Sequence, residues 1–170
     1  MVDIRVFDLK GYSSVNERVL VKSSSVDREH LVANTAFENA KEGMGFIEKQ
    51  FGQSYAEQDI QHLYVLINDG ASLNRVGFSG RDVEGGQYLR FAPGNPTEFY
   101  NMALSPDIMC HELTHLFLKN YYPWLPDGGQ TGAIEEHFAD VMGICFVNQQ
   151  LSTQGNYLPE WILGKSIVRL

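Results

Sequence analysis

The stretch SPDIMCHELTHLFLKN, residues 105–120, begins with helix-start signals and then places two histidines four residues apart. Ser105 is a suitable N-cap, and Pro106 suits the first helical position, where its missing N–H costs nothing. Residues four apart on a helix stand on one face, about 5–6 Å from each other. The sequence therefore predicts a helix on which His111 and His115 can reach a common metal ion.

Glu112 follows the first histidine directly, so on a helix it lies beside the imidazole pair. Two imidazole ligands with a carboxylate free to act as general base form the arrangement of a zinc hydrolase. The alternative is a polar patch on a helix surface. Catalytic zinc normally has three protein ligands, so a third ligand elsewhere in the chain must decide between the two.

The stretch TGAIEEHFADVMG, residues 131–143, predicts a second helix that begins near Thr131. Apolar residues recur along this helix at helical spacing: Ile134, Phe138, Val141 and Cys145. Glu136 and Asp140 are four apart and share another face, so one can bind the metal while the other holds a ligand histidine through its ring N–H. A merely solvated acidic face that includes Glu135 stays open, and His137 points elsewhere.

Composition describes one globular domain over residues 1–170, with 44% hydrophobic residues. The 13 Lys and Arg are scattered against 21 Asp and Glu, for a formal charge of −8, which argues against a nucleic-acid partner. No apolar run reaches the length of a membrane span, and the N-terminus lacks a signal-peptide pattern. These features predict a protein without a membrane partner that is cytoplasmic or exported without a signal peptide. Cys110 and Cys145 are both interpreted as buried thiols.

Strand and helix patterns predict an α+β fold, with strands before about residue 104 and helices after it. A hairpin is expected from the alternating stretches 2–9 and 18–23, and further strands at 62–69, 74–80 and 86–92. A long amphipathic helix fills the gap between the hairpin and the later strands. Ser25 is its expected N-cap, Asp27 and Glu29 lie in its first turn, and it ends near Gly52.

The sequences HELTH and GAIEEHFADVMG resemble those of the thermolysin-like zinc metallopeptidases, a family of gluzincins. In that family a Gly-x-x-x-Glu-x-x-x-Asp stretch follows the His-Glu helix after about twenty residues, and Gly132, Glu136 and Asp140 match it. The resemblance implies His111, His115 and Glu136 as zinc ligands, with Asp140 supporting a ligand histidine. It also implies the family's N-terminal lobe: a twisted, mostly antiparallel sheet packed on a long amphipathic helix and two zinc-carrying helices.

The activity that the resemblance implies is zinc-dependent endopeptidase action on peptide or protein substrates. Zinc would activate a water molecule, and Glu112 would take its proton and return it to the leaving amine. An extended substrate would add to an edge strand through main-chain hydrogen bonds. Asn74, Arg75 and Val76 fall where the family has its substrate-binding edge strand.

The chain also departs from the family pattern. Members continue into a helical C-terminal lobe that carries a histidine which stabilises the transition state, and here no histidine follows His137. Members also place a tyrosine between the zinc helices, whereas NYYPWLPDGGQ, residues 120–130, is one residue longer and has Asp127 near that point. Tyr121, Tyr122 and Trp124 are open alternatives. The chain is accordingly a fragment of a longer peptidase, a compact single-lobed peptidase, or a catalytically silent zinc-binding interaction domain; a different metal-dependent hydrolase is the remaining possibility.

Calcium is not expected as a second cofactor. Family members bind calcium near the zinc helices through clustered carboxylates, and of those positions only Asp107 and Glu160 are acidic here. The other positions fall at Val147, Ile162 and Lys165. Calcium requires six to eight oxygen ligands, which two apolar side chains and an ammonium group do not supply.

Overall fold

The computed structural model describes residues 2–12, 14, 16, 18–26, 29–70, 76–81 (backbone alone), 86–95, 97–126, 128–153, 155, 159 and 161–168. This part of the chain contains five strands: β1 Asp3–Asp8, β2 Val19–Ser23, β3 His62–Ile67, β4 Val76–Arg81 and β5 Gln87–Phe91. It also contains three α-helices: α1 Leu31–Phe51, α2 Pro106–Tyr121 and α3 Gly129–Thr153. The predicted α+β class and order of elements are confirmed.

The sheet has the strand order β2-β1-β3-β5-β4. It is mixed rather than mostly antiparallel, because β3 pairs in parallel with both β1 and β5, while the outer pairs β1–β2 and β4–β5 are antiparallel. The path of α1 explains the parallel pairing. His30, just before α1, lies 3.5 Å from Asp8 at the end of β1, and the chain returns to the start of β1, where the Asp3 N–H donates to Gln61. β3 therefore enters from the same end as β1.

The main core lies between the helices and one face of this sheet. Ile4, Val6 and Val65 from the strands pack with Ala36 and Ile47 of α1 and with residues of α2. β3 reads as a nearly continuous apolar run because both of its faces are covered, as in most parallel strands. Its second face joins a smaller cluster of Leu9, Tyr64 and Leu66. None of the helices in the described residues has the length and apolar character to cross a membrane.

The long helix α1 begins later than predicted and ends as predicted. Its N-cap is His30, whose Nδ1 accepts a hydrogen bond from the Ala33 N–H at 3.2 Å, rather than Ser25. The backbone N–H of Ser25 instead donates to Ser23 in the turn after β2, and Asp27 lies outside the described residues. At the other end, Gly52 adopts φ +66°, a left-handed C-cap for which glycine is favoured.

The apolar residues that mark α3 in the sequence are solvent-exposed, and the predicted burial of Cys145 is wrong. Ile134, Phe138 and Val141 are 70%, 36% and 41% exposed, and Cys145 is exposed as well. The buried face lies about a third of a turn away and carries Glu135, Ala139, Met142, Gly143 and Phe146. α3 is apolar around much of its circumference, so apolar periodicity predicts the helix but does not show which of its faces is buried.

The two cysteines should therefore differ in reactivity. Cys110 is fully buried, and burial raises the pKa of its thiol far above the ordinary value, so little reactive thiolate forms. Cys145 is exposed and free. We expect one thiol per folded chain to react rapidly with a maleimide, and Cys145→Ser to abolish that labelling. Mass spectrometry of the labelled peptides checks this, and rapid modification of Cys110 in the folded protein would contradict the packing.

Candidate metal centre

Helix α2 starts at Pro106 as the sequence predicts, and its first turn is fixed by Asp107. This buried carboxylate accepts hydrogen bonds from the Ile108 N–H at 2.9 Å and the Gly164 N–H at 2.6 Å, and from the Ser105 hydroxyl. Asp107 thus ties the segment around Gly164 to the start of α2. The first turn, and with it the histidines one to two turns later, is held in place by neutral donors.

A glycine lets α3 approach α2 closely. A Cβ atom on Gly143 would lie 2.5 Å from the Asp107 carbonyl oxygen, a separation that real Cβ atoms do not adopt. Nearby, the Cys110 thiol lies 3.7 Å from the Met142 carbonyl oxygen. This packing sets the carboxylates of α3 opposite the two histidines of α2.

Three predicted ligand residues converge between these helices. The Nε2 atoms of His111 and His115 are 3.0 Å apart, and Glu136 Oε2 lies 3.4 Å from each of them. These residues form a group of potential metal-ligating atoms. The histidine side chains are 11–12% exposed, whereas that of Glu136 is 67% exposed, so the cluster opens to solvent on the α3 side.

Each histidine turns its other ring nitrogen toward a carboxylate. His111 Nδ1 lies 2.9 Å from Asp140 Oδ1, although the two groups are poorly aligned for a hydrogen bond, and the Asp140 side chain is 46% exposed. His115 Nδ1 makes a well-formed hydrogen bond of 3.0 Å to Glu135 Oε1. A carboxylate accepts, so the His115 Nδ1 carries a proton. The same tautomer at His111 would direct its Nδ1–H toward Asp140 and leave both Nε2 lone pairs free to bind a metal.

This donor set suits a cation such as zinc. In a neutral imidazole only one ring nitrogen carries a proton. A proton on Nε2 of either histidine would therefore leave an Nδ1 lone pair facing a carboxylate, which is repulsive. Without that proton, two imidazole lone pairs and a carboxylate oxygen face one another. Donors about 2.0–2.2 Å from a tetrahedral zinc ion lie about 3.3–3.5 Å apart, close to the separations found here. His111, His115 and Glu136 would therefore fit zinc as ligands.

The electrostatics of His111 favour its neutral, metal-binding form. Burial lowers the pKa of its imidazole, and the neighbouring His115 lowers the pKa further. The carboxylates of Asp140 and Glu136 act in the opposite direction without reversing this shift. A neutral imidazole is the form that binds a metal, so His111 stays available as a ligand to lower pH than an exposed histidine.

The other residues singled out in the sequence do not belong to this group of converging ligand atoms. Glu112 follows His111 on α2, and its side chain is 4% exposed. The hydroxyl of Tyr121 accepts a hydrogen bond of 2.5 Å from Gln53, just past α1, while Tyr122 and Trp124 are 39% and 71% exposed. His137 is exposed on α3. Asp127 and Glu160 lie outside the described residues.

The expected substrate edge is described only in part. Asn74 and Arg75 lie outside the described residues, and Val76 begins β4, whose backbone is described. β4 is an edge strand of the sheet and contacts α2, the helix of the two histidines. Among the described residues β4 pairs with no strand other than β5, and it contacts the helix that carries the two histidines.

Glu135 was not predicted as a site residue. The sequence named it only within the alternative of a solvated acidic face, whereas its side chain is 8% exposed and contacts His115. One signal was available: Glu135, Ala139, Met142 and Phe146 follow helical spacing, so a carboxylate occupies one position of a second apolar stripe.

Comparison with known proteins points to peptidases. No protein-family model matches the sequence. The chain is 27% identical over 135 residues to Neutral protease B of Bacillus subtilis (strain 168), a match that covers 79% of this chain and 23% of that protein. Its fold matches the precursor of protealysin, a metalloproteinase from Serratia proteamaculans, with a TM-score of 0.77 and 17% identity over 99% of this chain and 50% of that one. The chain thus spans half or less of the length of these relatives.

Proposed function

We propose that this chain is a thermolysin-like metallopeptidase that acts as a zinc-dependent endopeptidase, with its metal held by His111, His115 and Glu136. The observation that carries this proposal is the approach of three acceptor atoms to 3.0–3.4 Å, with both histidine Nδ1 atoms turned to carboxylates. If Glu136 belonged only to a solvated acidic face, its carboxylate would not be expected to lie 3.4 Å from both histidine Nε2 atoms.

The proposed reaction assigns proton transfer to Glu112. Zinc in the site would lower the pKa of a bound water molecule to about 7 and polarise the substrate carbonyl. Glu112 accepts the proton of the attacking water and passes it to the nitrogen of the leaving amine. Its position directly after His111 on α2 supports this role.

The proposed substrate is an extended peptide that pairs with β4. Edge strands offer unpaired N–H and C=O groups to a peptide main chain, and β4 is the edge strand that contacts α2. Val76 lies at the start of this strand, and Asn74 and Arg75 precede it. Main-chain pairing there would carry a scissile carbonyl past the metal cluster.

We further propose that, in any longer form of this protein, a second lobe covers the exposed stripe of α3. The stripe consists of Ile134, Phe138, Val141 and Cys145, and apolar surface of this kind on a helix usually packs against another element. Half of the matched protealysin precursor lies outside the region of likeness, which leaves room for such a lobe.

Hydrolysis of casein, with and without a zinc chelator, tests the proposed activity. The chain should be assayed alone and as part of any longer natural form. Chelator-sensitive hydrolysis that returns on adding zinc is expected. Stoichiometric zinc without hydrolysis in either form would identify a catalytically silent zinc-binding domain, and failure to bind zinc would refute the metal centre itself.

We expect the thermal stability of this chain to be independent of calcium. The family position at Asp107 is occupied by internal donors, since its oxygens accept from Ser105, Ile108 and Gly164. Replacing these donors by calcium would detach the segment around Gly164. The unfolding midpoint in millimolar calcium and in a calcium-selective chelator should therefore agree; a rise of more than a few degrees with calcium would contradict this prediction.

A further inference from the structure

The contact between Glu135 and His115 is the best-formed polar contact of the metal centre, and the family pattern described above assigns no residue to it. Glu135 Oε1 lies 3.0 Å from His115 Nδ1, and its other oxygen lies 4.0 Å from the Lys119 ammonium group. The Glu135 side chain is 8% exposed. By contrast, the support for His111 comes from Asp140, which is 46% exposed and poorly aligned.

Packing between α2 and α3 does not by itself explain why residue 135 is a glutamate. Glu135 lies on the buried face of α3, in line with Ala139, Met142 and Phe146, where an apolar side chain would fill the same space between α2 and α3. Removing a carboxylate from water costs free energy, which a lysine 4.0 Å away and itself 29% exposed offsets only in part. Residues that break the local pattern in this way are expected at functional sites.

From this placement we infer that Glu135 is a positioning residue of the metal centre, acting on the metal through His115. Its carboxylate accepts the Nδ1–H, which fixes the proton on that nitrogen and aims the Nε2 lone pair at His111 and Glu136. Its negative charge also makes the imidazole a stronger donor. Partners of this kind typically contribute about 10–100-fold to metal affinity.

The inference rests on the proposed zinc site and is tested by zinc affinity, measured by competition with a chromophoric chelator. Glu135→Gln keeps the shape and an acceptor oxygen but removes the charge, and we expect it to bind zinc about tenfold more weakly. Glu135→Ala removes both charge and acceptor and should weaken binding by up to about 100-fold. Glu38→Gln is the matched control, because it removes one exposed carboxylate of α1, paired with Lys41 at 3.6 Å, and should leave zinc affinity unchanged.

The unfolding midpoint of the metal-free proteins separates positioning from a structural role. A positioning residue predicts that metal-free Glu135→Gln is at least as stable as the wild type, since the variant no longer buries a charge. If Glu135→Gln instead binds zinc within twofold of wild type, or destabilises the metal-free protein while leaving zinc affinity intact, the inference is overturned. A wild-type chain that binds no zinc would refute the proposed site, an outcome distinct from failure of this inference alone.

Discussion

His111→Ala should remove zinc from the protein almost completely. His111 supplies one of three converging donors, and the remaining pair, His115 Nε2 and Glu136 Oε2, stands 3.4 Å apart with one member on an exposed side chain. Loss of a direct ligand should weaken binding by more than the about 10–100-fold seen when an outer hydrogen-bond partner is removed. Elemental analysis after dialysis should give one zinc per wild-type chain and almost none for the variant.

A second readout follows from linkage between metal binding and folding. A ligand that binds only the folded state stabilises it by RT ln(1 + [L]/Kd), so added zinc should raise the unfolding midpoint of the wild type and not that of His111→Ala. His137→Ala is the matched control, because His137 is an exposed histidine of α3 outside the cluster. Stoichiometric zinc in His111→Ala, or loss of zinc in His137→Ala, would show that the ligand set is wrong.

Spacing predicted which of these side chains lie together because both pairs of residues lie on helices. A four-residue separation on a helix fixes which residues share a face, so His111 with His115, and Glu136 with Asp140, could each be grouped without knowing the fold. The N-cap and proline signals at Ser105 and Pro106 then located the start of α2 correctly. These inferences needed only the geometry of a single helix.

The buried face of α3 could not be read from apolar periodicity because two apolar stripes compete. Successive helical residues are about 100° apart, so Ile134 lies nearly opposite Glu136 on the helix. Once Glu136 and Asp140 face the histidines, Ile134 and Phe138 must turn away from α2. The positions of Glu136 and Asp140 therefore indicate which face of α3 packs against α2. A helical wheel drawn with these two residues facing α2 also places Glu135 on the buried side.

Strand direction and the start of α1 depend on tertiary contacts that sequence patterns do not encode. The parallel pairing of β3 with β1 follows from where the chain returns after α1, near Gln61. The choice of His30 over Ser25 as N-cap depends on Ser25 already bonding within the turn after β2. In both cases the local sequence allowed more than one structure, and contacts with other parts of the fold determined which one forms.

Glu112→Gln should keep the fold and the zinc but abolish peptidase activity. The amide has nearly the same shape as the carboxylate, yet it cannot accept the proton of the attacking water, and general acid–base catalysis typically contributes about 10²–10⁴-fold to the rate. Glu112 is not one of the proposed ligands and the amide keeps its size, so zinc content and the unfolding midpoint should change little. Chelator-sensitive casein hydrolysis, zinc content and thermal unfolding should be measured side by side for Glu112→Gln, Glu38→Gln and the wild type.

The Glu38 control should retain full activity, whereas Glu112→Gln should lose it with one zinc still bound. Equal chelator-sensitive rates for Glu112→Gln and wild type would assign the proton transfer to another group, and loss of zinc from Glu112→Gln would make Glu112 a support of the metal rather than the base.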